Sequence, residues 1–160
     1  MAYFPFMIQL DDKKCLIVGG GVVAARKAEQ MCEFGARVTV VAPEICTELL
    51  AMENENLTEK PMDTPTGNPE ENLAVKTGNS DKNEWNNKTI RIEKRKVTEA
   101  DISGMDVVIM ATDDAELNSQ YAKLCRSKHI LVNVVDVKKD CDFYFPAIIK
   151  QGEVVVSVST

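Results

Sequence analysis

The chain has 160 residues, 44% of them hydrophobic, which fits one domain, spanning residues 1–160, with a sizeable core. Its formal charge is −6, without the basic face that nucleic-acid binding requires. No apolar run approaches the roughly 18 residues of a membrane span, and no basic segment followed by an apolar core opens the chain, so a soluble, cytoplasmic protein is expected.

Cys15-Leu-Ile-Val18 reads as a first strand, and residues 21 to 34 as a helix with Val22, Ala25, Ala28, Met31 and Cys32 at helical spacing. Gly35 then stands where a helix C′ residue is expected. Val38 to Ala42 is a second strand stopped by Pro43, and Ile90-Arg-Ile92 a weak third. Val107 to Ala111 and Ile130 to Val135 are strong strands, with a helix over 115–128 between them, and Glu153 to Val158 is a sixth strand. Tyr3 to Leu10 adds an edge strand or an N-terminal arm. Apolar runs alternating with helical stretches predict an α/β fold, a Rossmann-type doubly wound, mostly parallel sheet.

Residues 53–88 interrupt this rhythm. They hold eight acids and four lysines, a net of −4 that leaves −2 for the other 124 residues, together with eight asparagines and three of the six prolines. Such a stretch reads as an insertion, either a solvated polar excursion or a partner-binding loop or lid. The five cysteines, Cys15, Cys32, Cys46, Cys125 and Cys141, contain no C-x-x-C pair. Their odd number and wide spacing argue against a disulfide framework or a zinc site, and no metal site is expected. Cys15 and Cys125 read as small core residues.

Gly19-Gly-Gly-Val-Val-Ala24 matches G-x-G-x-x-G/A, follows a strand and opens a helix. Gly19 permits a tight turn, Gly21 leaves room for phosphates to approach the backbone, and Ala24 allows close helix–strand packing. The amides of Val22 and Val23 at the positive end of the helix then meet a pyrophosphate. The ribose reader is less plain. Val41-Ala-Pro-Glu44 offers Glu44 either as ribose ligand or as a surface acid, with backbone contacts from Ala42 and Pro43 as the alternative. Arg37 lies at the start of its strand, so a 2′-phosphate is poorly provided for and NAD is favoured over NADP.

At the end of the fourth strand Ala111-Thr-Asp-Asp114 should border the nicotinamide half, with Asp113 and Asp114 each readable as a cofactor contact or a helix N-cap. Asn133-Val-Val-Asp136 places Asp136 on the same carboxyl edge, where a carboxylate could act as general base; an ion pair with Lys138 or Lys139 is the competing role. His129, the one histidine, reads as a surface or helix-end residue.

Together, Phe4-Pro-Phe-Met-Ile-Gln-Leu10, Cys15 to Gly21, Val23-Ala-Ala-Arg-Lys27, Gly35-Ala-Arg-Val-Thr-Val40, Ala111 to Asp114, Asn133 to Asp136 and Phe145-Pro-Ala147 resemble the N-terminal domain of siroheme synthase. That family includes precorrin-2 dehydrogenases and bifunctional dehydrogenase–ferrochelatases. The resemblance implies oxidation of precorrin-2 to sirohydrochlorin with NAD⁺ taking the hydride, with iron insertion as a further activity and Fe²⁺ then a substrate. It implies Asp136 as the catalytic aspartate and nucleotide contacts at Val22, Val23, Pro43, Glu44 and Thr112. Arg26, Asn133 and Lys138 are the candidate substrate contacts, and Lys27, Lys139 and Lys150 further cations for a substrate bearing eight carboxylates. The family pattern lacks the 53–88 insertion. It continues past Thr160 into a helical dimerisation and substrate-binding region, so the resemblance implies a truncated chain whose full-length form is a homodimer. A non-catalytic NAD-binding regulatory module is the competing reading. Such modules usually carry an acid at the end of the second strand, where this chain has Val41-Ala42.

Overall fold

The first apolar run forms β1 (Lys14–Val18), and its alternate side chains open two cores, one on each face of a sheet. The computed structural model describes residues 4–55, 90–152 and 154–159; the rest of the 53–88 segment, from residue 56 on, lies outside them. After β1 come α1 (Val22–Glu33), β2 (Arg37–Val41), α2 (Thr47–Glu55) and β3 (Ile90–Glu93). A 3₁₀ turn (Glu99–Ile102), β4 (Val107–Met110), α3 (Ala115–Ser127), β5 (Leu131–Val134), β6 (Ala147–Gln151) and β7 (Val154–Val158) complete the order. The first five strands form one parallel sheet in the order β3-β2-β1-β4-β5.

Both faces of this sheet are covered, as its nearly continuous apolar strands require. Cys15, Ile17, Val38, Val40, Ile90, Val107 and Ile109 pack against Ala24, Ala25, Ala28 and Met31 of α1 and Leu49 of α2. Leu16, Val18, Val108, Met110, Val132 and Val134 pack against Tyr121, Ala122 and Cys125 of α3, with Ile102 of the 3₁₀ turn. Ala24 is fully buried, so α1 lies close on the sheet, while Val22, expected on the buried face, is 47% exposed. All five cysteines are free thiols; Cys15 and Cys125 are core residues, and burial together with Asp142 pushes the Cys125 thiol up to about 11.

Three elements differ from expectation. The last apolar run does not join the parallel sheet; β7 pairs antiparallel with β6 in a separate hairpin. Helix α2 was not foreseen, and it takes residues 53–55, at the start of the expected insertion, into a helical turn. Residues 4–10 form no strand; Phe4, Phe6, Met7 and Ile8 are exposed, as an arm would be.

The two long helices on either side of the sheet end alike. At α1, Ala36 N–H donates to Met31 C=O and Gly35 N–H to Cys32 C=O, each at 3.0 Å. At α3, Ile130 N–H donates to Cys125 C=O and His129 N–H to Arg126 C=O, at 3.0 and 3.1 Å. Both are Schellman motifs with a left-handed residue at C′, Gly35 at φ +82° and His129 at φ +58°. His129 therefore has the helix-end role weighed for it, and it carries a side chain where glycine is preferred. His129→Gly is expected to stabilise the domain by about 0.5–1 kcal/mol, the cost of a left-handed residue bearing a Cβ less the added flexibility of the unfolded chain. Calorimetry should show a Tm rise of about 1–4 °C.

A second local device sits before β4. Asp101 accepts from both guanidinium nitrogens of Arg95, at 2.6 and 2.8 Å, and closes a capping box with Thr98. The Arg95 guanidinium, against the opposing effect of burial and with help from Thr98, holds the Asp101 carboxyl down from 3.8 to about 2. Stability from this ion pair is fully present above the ordinary carboxylate range and is lost as pH falls from about 4 towards 2. In urea titrations Asp101→Asn should be less stable than the wild type at neutral pH, with the difference closing across that window.

Candidate functional site

The turn from β1 into α1 is built on three glycines with three different reasons. Gly19 has φ +131°, and a Cβ on it would lie 2.2 Å from the carbonyl oxygen of Ala111. A Cβ on Gly20 would lie 1.9 Å from the carbonyl oxygen of Glu44 and 3.0 Å from the Ala42 methyl. The Gly20 carbonyl also accepts from Cys46 N–H at 2.8 Å, so Gly20 is where the loop after β2 seats on the turn. Sequence reasoning passed Gly20 over as the free position of the motif. At Gly21 no atom of the described residues beyond its chain neighbours lies within 4 Å of an added Cβ.

Gly21 is also the N-cap of α1, which has no side-chain cap and no acid in its first turn. Helix α3 is the contrast: Asp114 Oδ1 accepts from Glu116 N–H and Leu117 N–H at 3.1 and 2.9 Å. One helix satisfies its first amides with its own carboxylate. The other leaves those of Val22 and Val23, both side chains exposed, for an external anion.

The neighbouring candidates lie on the same carboxyl edge. Ala42 is buried and its N–H donates to Glu93 C=O at 3.2 Å, while Pro43 and Glu44 are exposed. Arg37 stands at the other edge, paired with Asp12. Between Asp113 and Asp114, the cap is Asp114. Asp113 is exposed, and the Thr112 hydroxyl donates to Asn118 Oδ1 at 2.6 Å, so Thr112 shapes the loop with its side chain.

A cleft of about 720 Å³ runs from the first turns of α1 to the end of β5, lined by Val23, Arg26, Lys27, Asn133, Asp136 and Lys138, among others. Four residues predicted from sequence to touch substrate or do chemistry, Arg26, Asn133, Asp136 and Lys138, are thus brought together. Val23, in the first turn of α1, lines this cleft too. Its charged lining is Arg26, Lys27 and Lys138 against Glu29 and Asp136, a net of +1 within a chain of −6. The cleft is thus slightly cationic in a chain whose net charge is negative, which favours an anionic ligand there.

Asp136 sits at the third position of a turn closed by Val137 N–H to Val134 C=O at 3.2 Å, with φ +63°. A positive φ at that position alone is the type II pattern, which favours Gly or Asn. The Asp136 side chain is exposed, and among the described residues no ion pair joins it to Lys138 or Lys139. Lys27 is held differently: its ammonium lies 3.7 Å from the Phe145 ring centroid, and burial lowers its pKa. Asn133 is buried with its amide donating to Phe143 C=O at 2.8 Å, so it braces the wall of the cleft.

Two expectations are corrected. Lys150 is not at the site; its ammonium donates to Glu33 C=O at 3.2 Å and lies over Phe34, at the far end of α1, where a cation meets the negative end of the helix. Lys139 does not line the cleft. Sequence reasoning missed Cys141, Tyr144 and Phe145 as lining residues; Phe145-Pro-Ala147 was the signal for the last of these. Among the described residues no group of three metal-ligating side chains gathers, and no helix is long and apolar enough to cross a membrane.

An open parallel sheet, a glycine turn into an uncapped helix and a cleft at the carboxyl edge define a dinucleotide-binding domain of Rossmann type. Residues 6–147 match the family model described as putative NAD(P)-binding, and the chain belongs to that family. Along its whole length it is 34% identical to a siroheme synthase of Thioalkalivibrio sulfidiphilus and 36% identical to one of Psychrobacter cryohalolentis. It covers 26% and 24% of them, so the chain spans about a quarter of the length of these curated relatives. Among solved structures, "SirC, precorrin-2 dehydrogenase" superposes on 99% of this chain, and 62% of its own, with a TM-score of 0.67 and 23% identity. That likeness supports the fold.

Proposed function

We propose that the chain is the NAD⁺-dependent dehydrogenase module of siroheme biosynthesis, oxidising precorrin-2 to sirohydrochlorin. The observation that carries this reading is the single cleft joining the uncapped amides of α1 to Asp136, on a chain whose relatives are siroheme synthases. The residues present fit the cofactor. Gly21 leaves open space among the described residues, Val22 and Val23 would offer their amides to a pyrophosphate at the uncapped start of α1, and Ala42, Pro43 and Glu44 would hold the adenosine ribose. Thr112 and Asp113 would hold the nicotinamide half. The pairing of Arg37 with Asp12 supports NAD over NADP, since this arginine is not available to a 2′-phosphate.

When bound, NAD⁺ supplies the acceptor for a hydride. The chain's part is to hold the substrate and remove the proton that leaves with that hydride, so precorrin-2 and NAD⁺ give sirohydrochlorin, NADH and one proton. Asp136 takes the proton, its carboxylate having no ion-pair partner to displace first among the described residues. Arg26, Lys27 and Lys138 orient the substrate's carboxylates, and Asn133 keeps the wall of the cleft in place. A nucleotide-sensing module would have no need of this cationic cleft beside a free carboxylate.

Iron insertion is the second reading for the same carboxylate, which would accept pyrrole N–H protons as Fe²⁺ enters. The exposed apolar residues of the β6–β7 hairpin, Ile149, Val154, Val156 and Val158, support a homodimer of the intact protein. The test is to mix the whole gene product with precorrin-2 and NAD⁺ and follow NADH absorbance. Absence of NADH from folded, NAD⁺-binding protein would sink the dehydrogenase reading, and Fe²⁺ with sirohydrochlorin in the absence of NAD⁺ tests chelation separately.

A further inference from the structure

β5 is the edge strand of the sheet, so the amides and carbonyls of alternate residues, Val132 and Val134, have no neighbouring strand. The segment following the Asp136 turn supplies the missing partners. Asp142 N–H donates to Val132 C=O at 2.8 Å, and Val132 N–H donates to Asp142 Oδ2 at 3.1 Å. At Val134 a thiol does the same work: Cys141 Sγ accepts from Val134 N–H at 3.2 Å and lies 3.1 Å from the Val134 carbonyl, to which it donates. The Val137 carbonyl is a second acceptor at 3.4 Å, and Asn133 Nδ2 approaches the sulfur at 3.6 Å. Burial first, and then the charges of Asp140 and Asp142, hold the thiol above its ordinary pKa, which keeps the donating proton in place. Arg126, from α3, pins the segment by bonding Asp142 at 3.1 Å.

The Val134 carbonyl is therefore shared. It receives the thiol from one side and the Val137 N–H that closes the Asp136 turn from the other. We propose that Cys141 is a positioning residue for Asp136, its thiol fixing the Val134 peptide from which the left-handed turn carries the carboxylate into the cleft. The proposal rests on Asp136 being the base. Without the thiol, Val134 N–H and C=O at a part-buried edge turn to water, and the turn loses its anchor while the pyrophosphate seat on α1 is untouched.

The test compares Cys141→Ala, Cys141→Ser and Asp136→Asn in the whole gene product, reading kcat for NADH formation, KM for precorrin-2 and NAD⁺ affinity. Cys141→Ala is expected to lower kcat about 10- to 100-fold, the scale of a misplacement of about 1 Å, with NAD⁺ affinity unchanged. Cys141→Ser, which keeps a donor and acceptor, should restore most of the rate. If Cys141→Ala proves unfolded, Cys141→Val, which fills the volume without a polar atom, takes its place. Wild-type kcat in Cys141→Ala while Asp136→Asn is slow overturns the positioning role alone. Wild-type kcat in Asp136→Asn overturns the reading of Asp136, and this proposal with it. Equal losses of NAD⁺ affinity and rate in Cys141→Ala, not rescued by serine, mark a merely structural cysteine and also overturn it.

Discussion

Alanine at Gly21 is expected to leave the domain folded and weaken NAD⁺ binding tenfold or more, whereas alanine one residue earlier should cripple the fold itself. The two positions are adjacent, but their surroundings are opposite. A methyl on Gly20 would collide with the Glu44 backbone at 1.9 Å and with the Ala42 methyl, and neither can retreat as a flexible side-chain tip would. The loop after β2 must lift off the turn, losing its bond from Cys46 to Gly20, at a cost of about 3 kcal/mol. A methyl on Gly21 meets no neighbour among the described residues; in the proposed function it would stand in the space through which a pyrophosphate approaches the α1 amides. Urea unfolding and isothermal titration with NAD⁺ separate the two. Gly20→Ala should move the unfolding midpoint, and Gly21→Ala the dissociation constant, a tenfold loss being about 1.4 kcal/mol.

The second large effect concerns chemistry. Asp136→Asn is expected to reduce turnover about 10²- to 10⁴-fold, the usual contribution of a positioned general base, while NAD⁺ affinity stays within about twofold. Asparagine is the informative replacement because the turn holds residue 136 at φ +63°, a conformation asparagine adopts readily and alanine does not. An Asp136→Ala variant would mix loss of the carboxylate with strain of the turn. Asp136→Gly, which relaxes the backbone, should be as slow as Asp136→Asn if the carboxylate is what matters.

Much of this architecture was legible in the residues, and the exceptions have physical causes. Cys15 to Val18, Val38 to Val41 and Val107 to Met110 are buried on both faces, so they read as apolar runs interrupted only by Thr39. The glycine turn between a strand and a helix declared itself by context. Helix α2 did not, because its apolar residues form one short block, Leu49 to Met52, flanked by polar residues, and among its described side chains only Leu49 is completely buried. The run ending in Val158 reads as a sixth strand, but apolar content does not say which strand is its neighbour, and of its hairpin partner Ala147–Gln151 only the first residue falls in a legible motif. At the site, Asp136 is legible from the carboxyl-edge rule, whereas Arg26 and Lys138 follow only from the charge that a carboxylate-rich substrate calls for. Lys150 could not be excluded that way, since charge alone does not reveal that the end of α1 claims it. The roles of Gly20 and Cys141 arise from backbone groups 24 and seven residues away, distances at which no local pattern speaks.

The edge that Cys141 and Asp142 complete has a counterpart across the sheet. On β3, the other outermost strand, Ile92 N–H donates to the Glu53 carboxylate of α2 at 3.2 Å. Each flank thus ends on an acidic side chain of the same polypeptide, Glu53 on one and Asp142 on the other. An incoming strand seeking to pair along either edge would have to displace one of these carboxylates. Growth of the parallel sheet by strand addition is thereby discouraged in both directions, a safeguard against edge-to-edge aggregation that leaves the carboxyl ends of the strands open to ligands.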